Sequence, residues 1–159
     1  MKHLPKHLRP RWRYLAVELE SWPDADLSRG AFQRELWYAA QNLLGDPGSA
    51  EADLSVLGFE FADGAGETVV RTRVGEVDPA RAALACVDEV DGHPLWVRVR
   101  GVSGTIRSCE ERYLGRRAGI TAESNVVFEN DRRTAFVRDE TLDVRTPTGF
   151  AGATKLDFE

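Results

Sequence analysis

The stretch best equipped for chemistry is Gly101-Val102-Ser103-Gly104-Thr105, two glycines and two hydroxyls in five residues. Before it, Leu95, Val97 and Val99 alternate with Trp96, Arg98 and Arg100, the period of a half-buried strand. After it, Ile106, Cys109 and Tyr113 recur at helical spacing, and Gly115 supplies a stop. A strand therefore feeds a helix through a Gly/Ser/Thr turn. Such a turn brings backbone N–H groups, a Ser103 or Thr105 hydroxyl and the positive end of a helix dipole to one spot. Arg98, Arg100 and Arg107 flank it. Phosphate binding is the chemistry this suits. The same residues also suit a plain helix N-cap, and the Gly-Lys-Ser/Thr ending of a P-loop is missing.

Other chemistry is poorly provided for. His3 and His7 are four apart with Pro5 between them, His93 stands alone, and no His-Glu-x-x-His pattern occurs, so no metal site is expected. Neither do nucleophile and base stand at a useful spacing. Cys86 and Cys109 fall on apolar stripes of expected helices and read as buried free thiols.

Charge is the informative quantity. The formal net charge is −5, with 26 Asp and Glu against 21 Lys and Arg. Residues 1–17 hold Lys2, Lys6, Arg9, Arg11 and Arg13 and no acid. Residues 93–120 hold Arg98, Arg100, Arg107, Arg112, Arg116 and Arg117 against Glu110 and Glu111. The intervening body is strongly acidic. If the two basic segments share a face, that face is a footprint for a polyanion. Lysine is confined to Lys2, Lys6 and Lys155. The acid excess reads as adaptation to a salty cytoplasm, while GC-rich codon usage accounts for arginine over lysine but not for the acids. No apolar run approaches the ~20 residues of a membrane span, and the N-terminus lacks a secretory apolar region, so a cytoplasmic location is expected.

Along the chain, residues 1–12 read as a basic, flexible arm. Residues 13–20 alternate as a strand, and Ser28 can cap a helix that Gly45-Asp46-Pro47-Gly48 should end. Residues 53–63 form a second strand with Leu57, Phe59 and Phe61 inward, then Gly64-Ala65-Gly66 turns into a third over 67–75. Asp78-Pro79 should open a second helix carrying Ala83, Leu84, Val87 and Val90, with Asp91-Gly92 closing it. The fourth strand and third helix follow. The class is α+β: a ferredoxin-like or RRM-like α/β sandwich, a βαββαβ core over 13–114 with a following helix, then a C-terminal extension over 115–159. The helices should cover one sheet face; Tyr14, Arg71, Arg73, Trp96, Arg98 and Arg100 should line the other. The extension should hold a hairpin around Asn130-Asp131 and a loose end over 145–159.

The segment VRVRGVSGTIRSCEERYL, with the N-terminal RPRWRYLAVELE, resembles the archaeal and eukaryotic ribonuclease P protein component 2 family, over about residues 6–114. The resemblance implies a subunit of the ribonucleoprotein that cleaves precursor tRNA to its mature 5′ end. It implies that RNA is the catalyst and that this protein stabilises and activates it. It also implies ribonuclease P protein component 3 and other subunits as companions, and Mg2+ held with the RNA component rather than by the protein. A halophilic archaeal source fits the composition.

The residues expected to bind RNA are Lys6, Arg9, Arg11, Arg13, Arg98, Arg100, Ser103, Gly104, Thr105 and Arg107; no residue is expected to be catalytic. The third strand lacks the aromatic-rich signature with which an RRM stacks single-stranded bases, so arginine reading of backbone and shape is the expected mode. Solvated strand faces with cross-strand ion pairs would equally explain Arg71, Arg73, Arg98 and Arg100. Two other readings stay open: a small phosphate-binding enzyme on the same fold, and a protein-interaction module using Trp12, Trp22, Trp37 and the acidic surface.

Overall fold

The structure, a computed structural model, describes residues 4–115 and 119–158. Lys2, His3, Arg116 and Arg117, named above for their charge or their spacing, lie outside the described residues. A four-stranded antiparallel sheet organises the first two thirds. Its strands are β1 (Trp12–Glu20), β2 (Ser55–Ala62), β3 (Ala65–Arg73) and β6 (Trp96–Ser103), in the order β2-β3-β1-β6. Helix α1 (Arg29–Ala52) follows β1, and α2 (Val77–Ala85) follows β3. A small hairpin of β4 (Glu89–Val90) and β5 (His93–Pro94) leads into β6, and α3 (Ile106–Tyr113) follows it. The order strand, helix, strand, strand, helix, strand, helix is the one expected.

Strand alternation decides the core. Leu15, Val17 and Leu19 of β1 face α1 and α2, where Phe32, Leu36, Ala40, Ala83 and Leu84 meet them, all essentially buried. Each large side chain there stabilises the fold by about 1.5–3 kcal/mol. Ser28 caps α1, its Oγ accepting from the Ala31 N–H at 3.1 Å.

Several boundaries differ from expectation, each for a local reason. Gly45 leaves helical geometry at φ 71°, yet the chain resumes helix through Ala52 because Pro47 sits in a new first turn, where its missing N–H costs nothing. The β2–β3 turn is Asp63-Gly64, with φ of 52° and 73°, the left-handed pair of a two-residue hairpin, rather than residues 64–66. A register shift between Val56 and Phe59 puts Val56, Phe59 and Phe61 on the core side and turns Leu57 to the opposite face. Helix α2 starts at Val77, before Asp78, with Pro79 tolerated in its first turn. Asp91-Gly92 is the tip of the β4–β5 hairpin, not a helix stop, although Val87 and Val90 are buried as expected. Cys86, just past the end of α2, is exposed; Cys109 is buried.

Strand β6 extends beyond Arg100 and pairs Gly101, Val102 and Ser103 with Ala16, Leu15 and Tyr14. A bulge opposite Ala16/Val17 restores Val102 to the core side. The turn into α3 is therefore only Gly104-Thr105. The larger difference is the position of α3, which lies on the face opposite α1 and α2. There Cys109, Tyr113 and Leu114 pack on Ala16, Val69, Tyr14 and Leu57. Gly101 makes this seat: a Cβ there would fall inside the Tyr113 ring.

The extension forms its own antiparallel sheet of β7 (Ala122–Phe128), β8 (Asp131–Arg138), β9 (Thr141–Thr146) and β10 (Gly149–Thr154), paired in chain order. The expected hairpin is present with its turn at Glu129-Asn130, while the segment from residue 145 is strand and a 3-10 turn rather than loose. Arg138, 2% exposed, joins the sheets by donating to Asp143 at 3.0 Å and to the carbonyls of Ser21, Asp63 and Gly64 at 3.0–3.3 Å. Among the described residues, no helix is long and apolar enough to cross a membrane.

Candidate nucleic-acid interface

The outer face of the main sheet is divided by α3 into two ends of different character. At one end Trp12 and Tyr14 of β1 stand opposite Arg73 and Arg71 of β3, and Tyr14 also stands opposite Ser103 of β6. The Arg71 guanidinium lies 3.9 Å from the centre of the Trp12 ring, and that of Arg73 5.5 Å. Stacking of this kind holds a guanidinium flat with its edge free for an anion. Among the described residues, the buried Nε of Arg71 has no hydrogen-bond partner. Arg73 also meets Asp53 at 3.3 Å, an exposed pair that water and salt screen.

The turn joins this end. Arg13 stands beside Gly104, whose position is otherwise open: an added Cβ would find only Arg13 Nη1, at 3.8 Å. The Thr105 Oγ accepts from the Ser108 N–H at 3.1 Å, so this hydroxyl caps α3. Ser103 belongs to the strand, not the turn. Arg107, in the first turn of α3, is exposed and meets Glu111 at 2.8 Å. The arm arrives here too. The Arg11 carbonyl accepts from the Val74 N–H at 3.0 Å, the Arg9 Nε donates to the Leu4 carbonyl at 2.9 Å, and Lys6 opens a short 3-10 turn.

The other end is different. Glu18 stands opposite Glu67 and Arg98, Glu67 opposite Glu60, and Glu20 opposite Trp96. Arg100 pairs with Glu18. The Glu67 carboxylate accepts from the Gly115 N–H at 2.9–3.0 Å, fixing the far end of α3. Five residues of strand, about 16 Å, separate Arg98 from Ser103. Arg98 and Arg100 therefore do not flank the turn, as their closeness in sequence suggested; they lie among carboxylates.

Of the expected site residues, Arg11, Arg13, Ser103, Gly104, Thr105 and Arg107 lie at this end of the sheet, Arg11 and Arg13 alternating with Trp12 and so pointing to its other face, and Lys6 and Arg9 belong to the arm that leads to it. Trp12, read above as arm, and Arg71 and Arg73, read above only as outer-face residues, are the residues that sequence reasoning left off the expected site. The signal for Trp12 was its alternation with Tyr14, one step before the strand was taken to begin. Burial pushes the Cys109 thiol up to about 11, with Glu110 adding to the shift, which leaves it protonated and unreactive near neutrality. Among the described residues, no three His, Cys, Asp or Glu side chains are grouped to hold a metal ion.

The model of the Rpp14/Pop5 family matches residues 13–114. Ribonuclease P protein component 2 of Halorubrum lacusprofundi is 60% identical over 159 residues, all of both chains. That of Natronomonas pharaonis is 62% identical over 158 residues, 99% of this chain and 98% of the relative. That of Methanosarcina barkeri is 36% identical over 114 residues, 72% of this chain and 80% of the relative. A chain in the cryo-EM structure of yeast ribonuclease MRP is a remote likeness, with 17% identity, a TM-score of 0.47, and coverage of 63% of this chain and 79% of that one. The family match and the full-length identities agree: the chain belongs to the Rpp14/Pop5 family of ribonuclease P protein subunits.

Proposed function

We propose that this subunit of ribonuclease P grips the enzyme's catalytic RNA with the basic end of its outer sheet face. The observation that carries the reading is the stacking of Arg71 and Arg73 on Trp12, at the end of the sheet where Arg13 and the Gly104-Thr105 turn also lie, in a chain whose net charge is −5. Arginines held flat by stacking suit phosphate oxygens, which they meet through two parallel hydrogen bonds. The ferredoxin-like sandwich is the rigid platform that positions them, and the arm adds long-range attraction.

Cleavage of precursor tRNA belongs to the RNA on this reading. The protein lowers phosphate repulsion that Mg2+ would otherwise have to screen, so it lowers the Mg2+ the RNA needs. It acts together with ribonuclease P protein component 3 and meets precursor tRNA only indirectly, in the cytoplasm. Protein without RNA is expected to process nothing. The test is a reconstitution of the RNA with component 3, with and without this protein, across a Mg2+ series. A lower Mg2+ midpoint with the protein supports the reading; an unchanged midpoint overturns it. Direct arginine–phosphate bonds should also make RNA affinity fall only shallowly with salt, and removal of residues 1–12 should matter more at low salt than at high.

A further inference from the structure

A groove of about 530 Å3 opens where the C-terminal sheet meets the acidic end of the main sheet. Its walls are Trp22 and Trp96, edge to face with ring centres 5.2 Å apart. Trp96 is 52% exposed, unusual for so large an apolar ring. Trp22 is fixed from behind, stacked on Phe150 at 5.9 Å and lying over Gly152. The rim carries Glu20, Asp143 and Asp157.

Among the described residues, only Asp143 of these carboxylates has a cation partner. Asp143 is held by Arg138, whose remaining donors go to backbone carbonyls of the core. Asp157 is fixed by the N–H and hydroxyl of Thr154, which hold its carboxyl below the usual range. Glu20 makes no ion pair among the described residues, and burial pushes its carboxyl up although Arg138 opposes the shift. The groove thus joins two aromatic faces to surplus negative charge. RNA phosphate is repelled from it. A planar cation that can stack on indole while donating to a carboxylate fits both features at once, and a guanidinium does so better than a compact ammonium.

We propose that this groove receives an arginine side chain from an extended segment of a partner protein. Seven of the ten residues lining the groove come from the C-terminal extension, which lies beyond the residues matched by the family model, so the contact belongs to proteins that carry this extension. The proposal rests on membership in ribonuclease P and not on where RNA binds.

The test places a photo-crosslinker in the groove of the full chain, as Trp96→p-benzoylphenylalanine, within the fully reconstituted ribonuclease P. The expected product joins this position to an arginine-bearing segment of another protein subunit. A double variant, Glu20→Gln with Asp157→Asn, should reduce that product at least tenfold. A synthetic peptide of the crosslinked segment should quench the tryptophan fluorescence of the unsubstituted chain, and citrulline in place of its arginine should weaken binding at least tenfold. RNA affinity of the substituted chains, unchanged, certifies that they are folded and reads the basic end separately. A crosslink to RNA, a crosslink to a second copy of this chain, no crosslink, or equal binding of the arginine and citrulline peptides would each overturn the proposal.

Discussion

The two ends of the outer sheet face are built from the same three strands, yet one gathers arginines around a tryptophan and the other gathers glutamates. Trp12, Tyr14, Glu18 and Glu20 follow one another along a single face of β1, so the change of character occurs within one strand. Helix α3 lies between the ends and keeps them apart. Closeness in sequence therefore misleads here. Arg100 and Ser103 are three residues apart but belong to opposite ends, whereas Arg13 and Gly104 are distant in sequence and adjacent in space. Register decides which charges share a ligand.

The largest expected effect tests whether the acidic end can be disrupted alone. Arg138→Ala leaves Asp143 buried without its partner and removes a donor from the Ser21 and Asp63 carbonyls, while that of Gly64 keeps the Ser21 N–H; this should cost about 3–5 kcal/mol. Denaturant melts followed by the fluorescence of Trp22 and Trp96 will register it. RNA affinity under native conditions should change little, because the groups Arg138 bonds lie at the other end of β1 from Trp12. The next effect attacks the divider. Gly101→Val drives a methyl-bearing carbon into the Tyr113 ring and should destabilise by about 1–3 kcal/mol, with α3 displaced and RNA binding weakened along with it.

A smaller effect concerns pH. The Cys109 thiol under α3 keeps its proton up to about 11, while the unfolded chain releases its own near 9. Between those values the native state holds the extra proton, so stability falls as pH rises through this window. Cys109→Ser or Cys109→Ala should flatten that part of a stability profile measured from pH 8 to 11. The smallest effect on stability belongs to Gly104→Val. The site is open and its backbone is not left-handed, so melting should shift little. Mg2+-dependent activation of the RNA should suffer more than folding, because a side chain there obstructs close backbone approach of a phosphate. Equal losses in the two would mean that the glycine serves only the turn.

What the sequence made legible was local. Alternation in β1 and β6, the Ser28 cap, and the Thr105 cap with its Gly115 stop are each decided by neighbours along the chain, and each is found. Asp63-Gly64 is equally legible as a two-residue hairpin turn, but Gly66 draws the expected turn on to residues 64–66. The bulges in β2 and β6 were not legible, since an extra strand residue leaves no compositional mark. The seat of α3 was hidden for a different reason. Its apolar stripe fits either face, and only the pairing of Gly101 with Ala16 exposes the shallow patch that accepts Tyr113. Residues 145–159 read as loose because the core they close over is small, Ala135, Leu142 and Val144, and the bond joining that sheet to the rest comes from an arginine. In the candidate interface, the arginines were visible as residue types. Their division into two ends was not, because it depends on strand direction and register.

The most direct test of that division compares two double variants of the full chain in affinity for the ribonuclease P RNA. Arg71→Gln with Arg73→Gln empties the Trp12 cluster; Arg98→Gln with Arg100→Gln removes the same charge from the acidic end. The account predicts at least a tenfold loss, about 1.4 kcal/mol, for the first pair and less than a threefold loss for the second. Equal losses, or a greater loss for the Arg98 and Arg100 pair, would contradict it.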